Sequence, residues 1–426
     1  MQAFLEIVVY IVSFFSLYVQ IYFLIVFLEN RKKITIHREP LRLFEKNEDY
    51  PAVTIVVPAY NEGESVAITT ESLLKLNYPK DKLFLILVND GSKDNTWEVM
   101  QRYKDHPQIK IFNKPNGGKF SAQNLALENT QTPFLGCLDS DSTVHPEALN
   151  RIMTYFLEDP RIMAVAPTIV SSKEENLLQK AQKTEYEMQI YVKKMMSLVN
   201  AIHVTPGPFS IFRREVFDKI GKYKHAHTTE DIEIALRMQK HHMKIENAPD
   251  SYVYTNTPKT VKSLYKQRKR WIYGFIQNAL DYRGLFFRKK YGNIAFINLP
   301  ISFILLSSVL FLVISILRSV YEFIKTQSLT ISAIGINWET YRPKLELDPF
   351  FFNTSALMFI SIFLWLLVFF SLYMSQKMLY GKTKINLNIL WFFLTYTLLA
   401  PFWVIKAMFN ALRNYEASWT KEIDSR

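Results

Sequence analysis

Two kinds of hydrophobic patterning divide this chain. Four apolar stretches, at 7–28, 294–317, 354–374 and 385–405, contain no charged side chain. Each has roughly the 20 residues that a helix needs to cross a hydrocarbon core. Between the first and second stretches the pattern changes, and short β-branched or apolar runs alternate with helical periodicity. The spacing predicts strands at 52–57, 83–88, 109–113 and 133–138, and helices at 64–75, 96–105, 119–129 and 232–239. Alternation of this kind builds βαβ units, which assemble into a mostly parallel, doubly wound sheet. The expected fold class is therefore α/β, a Rossmann-like domain with a mostly parallel sheet plus α-helical transmembrane segments. The boundaries that follow are an N-terminal anchor at 1–33, a cytosolic domain at 34–290 with an interface helix near 271–287, and a C-terminal membrane region at 291–426.

Charge placement orients this layout. Nothing positive precedes the first stretch, no small-residue cleavage site follows it, and Arg31, Lys32 and Lys33 come directly after, so it reads as an anchor rather than a cleaved leader. Positive loops stay inside, which puts the central block in the cytosol of a multi-pass cell-membrane protein. Lys377, Lys382 and Lys384 put the loop between the third and fourth stretches on the same side. Pro401 interrupts the last stretch, leaving two readings open, a full crossing or a turn back.

Composition narrows the partners. Apolar residues make up 49% of the chain and aromatics 15%, which is rich for a soluble enzyme. The net charge of +12 points to an anionic partner. Nucleic acid is not expected, because no binding motif is present. Anionic membrane lipid accounts for clusters such as Arg288, Lys289 and Lys290. The single cysteine, Cys137, allows no intramolecular disulfide and reads as a small strand residue. His225, His227, His241 and His242 lack zinc-site spacing. Tyr186 and Tyr191, on an amphipathic helical stretch, read first as packing residues.

In open α/β sheets the ligand site lies beyond the carboxyl ends of the strands, and polar clusters stand at those ends. Pro58-Ala59-Tyr60-Asn61-Glu62 follows the first strand, Asn89-Asp90-Gly91-Ser92 the second, and Asp139-Ser140-Asp141 the fourth. Two carboxylates spaced as Asp139 and Asp141 can converge on a hard cation, Mg2+ or Mn2+, that bridges to phosphate; the plainer reading is an Asx turn capping the next helix. Asn116-Gly117-Gly118-Lys119 opens a helix, where glycines admit close backbone approach and Lys119 offers a point charge to phosphate. The spacing of the nucleotide-hydrolase phosphate loop is absent. Thr229-Glu230-Asp231 is either an acidic helix start that complements the dipole or a general base. From Lys259 to Arg270 the chain holds six basic residues and no acidic one, ending in Gln267-Arg268-Lys269-Arg270-Trp271. That segment is a diphosphate clamp with a stacking ring, a membrane-proximal basic helix, or both.

In this order, Pro58 to Glu62, Asp90, Lys119, Asp139-x-Asp141, Thr229-Glu230-Asp231 and Gln267-x-x-Arg270-Trp271 resemble the processive family 2 glycosyltransferases. That group includes cellulose, hyaluronan, chitin and poly-N-acetylglucosamine synthases, and the likeness covers about 50–290. The resemblance implies a glycosyltransferase A-type fold and an inverting transfer from a UDP-sugar donor to a growing β-linked polysaccharide, with export of the chain. It implies that Asp90 meets uracil or ribose, that Asp139 lies near the nucleotide, and that Asp141 carries the metal. Asp231, beside Glu230, is then the base, while Arg268, Arg270 and Trp271 hold the diphosphate and the growing chain. Gly207-Pro208-Phe209-Ser210 is similar to the acceptor-lining segment of hyaluronan and chitin-oligosaccharide synthases, with Gln267 and Trp271 on the same side. Size and layout favour N-acetylglucosamine as the sugar. A hexosyltransferase acting once on a lipid is the enzyme alternative, and an accessory membrane subunit stays open as a partner. A transporter fits poorly, because transporter spans usually carry polar or broken segments at mid-bilayer. A scaffold without catalysis is expected to lack Asp141 or Asp231, and both are present.

Overall fold

The computed structural model describes residues 2–32, 34, 43–44, 46–335, 356–383 and 388–414; Lys33 and Lys384 of the charge argument lie outside them, as do 336–355 and 415–426. The chain divides into two compact units, Met1–Leu24 with Ile301–Phe370, and Ile25–Pro300 with Ser371–Arg426.

In the second unit, after α1 (Gln2–Asn30), the expected alternation runs β1 (Val53–Ala59), α2 (Ser65–Leu74), β2 (Leu83–Asp90), α3 (Thr96–Gln101), β3 (Ile109–Lys114), α4 (Lys119–Glu128) and β4 (Phe134–Cys137). β1 and β2 run two residues further than their apolar runs predict, carrying Pro58, Ala59, Asn89 and Asp90 into the ladder. Beyond them come β5 (Ser142–Val144), α5 (Ala148–Glu158), β6 (Ile162–Ser171), α6 (Leu177–Leu198), β7 (Ile211–Arg213), α7 (Arg214–Ile220), α8 (Glu230–Lys240), β8 (Lys244–Thr255) and α9 (Val261–Asp281). One eight-stranded sheet results, in the order β3-β2-β1-β4-β7-β6-β8-β5. β1, β2, β3 and β4 pair in parallel, as do β6 and β8. The short β7 runs antiparallel between β4 and β6, and β5 antiparallel to β8. The sheet is thus the mostly parallel α/β type that the alternation predicts.

Every residue of β1 is buried, as a strand covered on both faces must be. The pleat sorts its side chains. Ile55, Val57, Leu85 and Leu87 pack with Leu73, Met100 and Ile152 on one face. Val56, Ile86 and Val88 pack with Ala122, Ala126, Ile234 and Met238 on the other. At the centre, Gly136 of β4 leaves no room: a Cβ there would lie 2.8 Å from Ile55 Cδ1 and nearer still to Ile211 Cδ1.

Among the described residues, four helices are long and apolar enough to cross a membrane: Ile7–Asn30, Ile294–Ala333, Ala356–Tyr380 and Asn388–Leu412. They correspond to α1, α10 (Leu299–Ile334, entered through a π-type turn at Ile294–Asn298), α11 (Ala356–Tyr380) and α12 (Asn388–Leu412). α12 continues through Pro401 as one helix. Within the second unit, α12 packs along α6 and α9. The end of α11 is tied to the same unit by polar contacts. Ser375 Oγ accepts from Tyr191 N at 3.0 Å, and Tyr380 OH donates to Glu187 at 2.8 Å. The stretch 271–287 belongs to α9 up to Asp281, and residues 273–279 are buried among protein side chains.

Gly136→Val should lower stability by about 1–3 kcal/mol, the usual cost of overpacking a closed core. The thermal midpoint of the detergent-purified protein reads this directly, and an unchanged midpoint would contradict the packing described for β4.

Candidate active site at the carboxyl edge of the sheet

The loops after β1 and β2 are stitched together. Asn61 and Glu62 donate their backbone N–H groups to Ser92 Oγ at 3.0 Å and Thr96 Oγ1 at 2.9 Å, while Asn61 Oδ1 accepts from Lys93 N at 2.8 Å. Pro58 is buried in β1 opposite Val88, and Tyr60 and Glu62 are half-buried beyond the strand end. Asp90, the last residue of β2, is buried and turned toward the glycine turn. Its carboxylate accepts from Gly117 N at 3.0 Å and Gly118 N at 2.8 Å and pairs with Lys114. Gly91 sits at φ 74°, and a Cβ there would come within 2.6 Å of Asn116 N. This arrangement fixes the turn that opens α4 and aims Lys119 across the sheet edge.

Lys119 is the hub. Its ammonium contacts Asp139 at 2.5 Å and Glu230 at 3.1 Å. Burial alone would lower its pKa, but the two carboxylates outweigh that and hold it well above the ordinary lysine value. Gly207 packs directly on this pair: a Cβ would overlap Lys119 Nζ and lie 3.4 Å from both Asp139 oxygens. The segment holding Gly207 and Pro208 is pinned through Phe209, which is fully buried at φ 65° and donates its N–H to Cys137 O at 2.5 Å. Asp231 follows Glu230 into the first turn of α8, and its Oδ1 accepts from Ile232 N at 3.0 Å. Burial and the neighbouring Glu230 push its carboxyl up to about 6, against the opposing pull of Lys119 and Arg270. Asp139, Lys119, Glu230, Asp231 and Gly207 are therefore brought together from β4, α4, α8 and the loop before β7.

The basic segment is split by its helix. Arg270 faces the cluster, since its charge acts on Asp231, and Nη1 donates to Thr228 O at 3.0 Å. Arg268 turns the other way. Buried among α6, α9 and α12, it pairs with Glu185, lies 3.5 Å from Tyr396 OH, and stacks on the Trp271 ring at 4.2 Å. Gln267 lies on the same helix with its Oε1 buried. Asp141 is half-buried, and its Oδ1 accepts from Ser142 Oγ at 3.2 Å. Among the described residues, no group of three or more His, Cys, Asp or Glu is gathered for a metal. Asp139 and Asp141 supply two hard oxygen donors of the kind Mg2+ and Mn2+ take, which suits a cation that completes its shell with phosphate and water.

Two further residues carry no motif: Lys193, whose charge acts on Asp231, and His203 beside Lys193. Lys193 of α6 is half-buried; burial lowers its pKa to about 8, against the pull of Asp231 and Glu185. His203, in the loop before β7, is pushed down to about 4 by burial and by Lys193. It stays neutral, with Nδ1 2.8 Å from Asn298 Nδ2. The only sequence signal for either was a polar residue on a helix or loop flanking Gly207.

Residues 54–221 match the model of the glycosyl transferase family 2. A poly-beta-1,6-N-acetyl-D-glucosamine synthase of Staphylococcus epidermidis is 29% identical over 231 residues, 54% of this chain and 56% of that protein. Its Staphylococcus aureus (strain COL) namesake is 28% identical over 229 residues, 53% of this chain and 55% of that protein. The match thus spans little more than half the length of these curated relatives. The mannosyltransferase PcManGT from Pyrobaculum calidifontis, solved in complex with GDP-Man and Mn2+, superposes with a TM-score of 0.59. That alignment covers 97% of this chain and 100% of the other at 17% identity, a likeness of fold.

Asp231 carries a pH signature. Its folded pKa of about 6 lies above the ordinary 3.8, so the folded chain binds this proton more tightly than the unfolded chain. The stabilisation from that proton is complete below about pH 4 and is lost as pH rises through about 6. Asp231→Asn, which cannot ionise, should therefore melt above the parent at pH 8, with the gap closing toward pH 4. A gap that stayed constant with pH would remove the burial argument.

Proposed function

We propose, from the match of residues 54–221 to glycosyl transferase family 2, that the protein is a membrane-embedded, inverting synthase of a β-linked polysaccharide. The donor is a UDP-sugar, with N-acetylglucosamine as the transferred residue, and the catalytic domain at 34–290 faces the cytoplasm. The observation that carries this reading is the convergence of Asp139, Lys119, Glu230 and Asp231 over the carboxyl ends of the parallel strands. The flanking membrane helices, with an interface segment near 271–287, anchor the domain in lipid and export the product; an accessory subunit can join them.

Each residue has a physical task. Pro58, Tyr60, Glu62 and Asp90 form the nucleoside side of the cleft. Lys119 and Arg270 supply positive charge to the diphosphate, while Arg268, turned away from the cluster and paired with Glu185, steadies the Trp271 ring instead. Asp139 and Asp141 would hold Mg2+ or Mn2+, whose bound charge offsets the charge left on the departing nucleoside diphosphate. Gly207 and Pro208 give the acceptor sugar a close approach to Asp139 and Lys119, and Gln267 and Trp271 receive the sugars behind it. Asp231, ionised above about pH 6, takes the proton of the attacking hydroxyl. Glu230 keeps Lys119 in position and raises the basicity of Asp231. Direct attack by the hydroxyl on the anomeric carbon inverts that centre, so an α-linked donor gives a β-linked product.

The deciding measurement is nucleotide release by the protein in nanodiscs, with Mg2+ or Mn2+, over a panel of UDP- and GDP-sugars. Release from UDP-N-acetylglucosamine with a product that grows to high mass supports the reading; a single-sugar lipid product favours the hexosyltransferase alternative. With the active donor, Asp231→Asn should bind donor normally while turnover drops by about 100-fold or more, on the order of a lost general base. Turnover of the parent should fall as pH drops through about 6. Asp141→Ala should lose metal-dependent donor binding, and binding that still responded to metal would reassign that carboxylate.

A further inference from the structure

The turn in front of Thr229-Glu230-Asp231 is strained. Ala226, His227 and Thr228 hold φ values of 48°, 51° and 63°, three consecutive non-glycine residues in the left-handed region that such residues seldom occupy. A conformation of this kind persists only where its surroundings impose it, and here the surroundings are one face of α9. Arg270, Gly274 and Asn278 recur at i, i+4 and i+8, so they share that face. Arg270 Nη1 donates to Thr228 O at 3.0 Å. Asn278, fully buried, donates from Nδ2 to Ala226 O at 3.2 Å and to Thr229 Oγ1 at 2.9 Å. Between them, Gly274 lets the helix touch the turn: a Cβ there would lie 2.8 Å from Thr229 Cβ and overlap Oγ1 and Cγ2 of that residue. At the end of the same helix, Asp281 meets His227 Nε2 at 2.9 Å.

We infer that Gly274 and Asn278 are positioning residues, through which α9 imposes the left-handed turn at 226–228 and so sets the direction in which Asp231 presents its carboxylate. The inference rests on Asp231 being the base. Glu230 and Asp231 are the first two residues of α8, so any change in the backbone at Thr228 and Thr229 is passed to them directly. The nucleoside side of the cleft is built from β1, β2 and the glycine turn, which α9 does not hold. Disturbing the clamp therefore acts on turnover and leaves donor affinity in place. α9 also carries Gln267, Arg270 and Trp271 on its preceding turns, so one helix sets both the base and the residues proposed for the acceptor and diphosphate.

The test uses the full chain in nanodiscs and reads turnover, donor KM and the acid limb of the pH profile. Gly274→Ala should lower turnover by about 100-fold, the scale of an ångström-sized misplacement, with donor KM unchanged. Adding Thr229→Gly, which removes all three atoms that the new Cβ would meet, should recover about tenfold of that loss, because the overlap is relieved. Asn278→Ala, which only removes atoms, should lower turnover and move the acid limb away from its parental position near pH 6. Parental turnover and an unmoved acid limb in both Gly274→Ala and Asn278→Ala would overturn the inference. So would a loss in Gly274→Ala that Thr229→Gly leaves uncorrected, since the damage would then not run through the Thr229 side chain. Asp231→Asn, measured alongside, separates the two levels: if it keeps turnover, the base assignment falls. If it is inactive while the α9 variants behave as the parent, only the positioning role falls.

Discussion

A single ammonium group holds this site together. Lys119 enters on the helix after the glycine turn, Asp139 on the loop after β4, and Glu230 on the first turn of α8; without a common counter-charge nothing would draw these three segments to one point. Two carboxylates a few ångströms apart in a half-buried cleft repel each other, and the lysine between them turns that repulsion into attraction. Gly207 then closes over the pair because it has no side chain. Losing one partner would leave the other's charge uncompensated in the cleft, so the same contact that gathers these groups also holds the sheet edge together. Asp231 inherits its properties from this neighbour. The negative field of Glu230 and its own burial raise its basicity, and the lysine keeps it ionisable near neutrality.

A second set of polar contacts joins the catalytic unit to helices long enough to span a membrane. Glu185 of α6 receives Arg268 of α9 and Tyr396 of α12, and Glu187, one residue pair further along α6, receives Tyr380 and Gln376 of α11. In hydrocarbon-facing helices such groups are costly unless paired. Here they are paired with α6, the helix that also carries Lys193. α6 thus has two jobs in one register, seating the ends of α11 and α12 and lining the cleft.

Much of this architecture was legible from periodicity. The strands and helices of the first half follow their apolar runs closely, because each is short and strongly patterned and the central strands β1 and β4 are buried on both faces. Their ends were less legible: β1 and β2 extend into Pro58, Ala59, Asn89 and Asp90, residues of turn-like character held in the ladder by pairing with their neighbours. The pairing of α9 with the turn at 226–228 had no local signal, since Gly274 and Asn278 look like ordinary helix residues until Thr229 is placed against them. The opposite orientations of Arg268 and Arg270, two residues apart on one helix, follow from the 3.6-residue repeat, but which of the two meets the cleft depends on where Glu185 lies.

The sequence by itself determined the kinds of element and the chemistry on offer. Apolar length specified helices able to cross a membrane, alternation specified a mostly parallel sheet, and the acidic clusters of the first half stood at or just past strand ends because an uncompensated charge is costly within such strands. Tertiary structure alone decided which of those motifs meet. Convergence of Asp139, Lys119, Glu230 and Gly207 is a matter of contacts between residues up to 111 positions apart in the chain, governed by close packing and charge compensation, and no local pattern encodes a distance across the sheet.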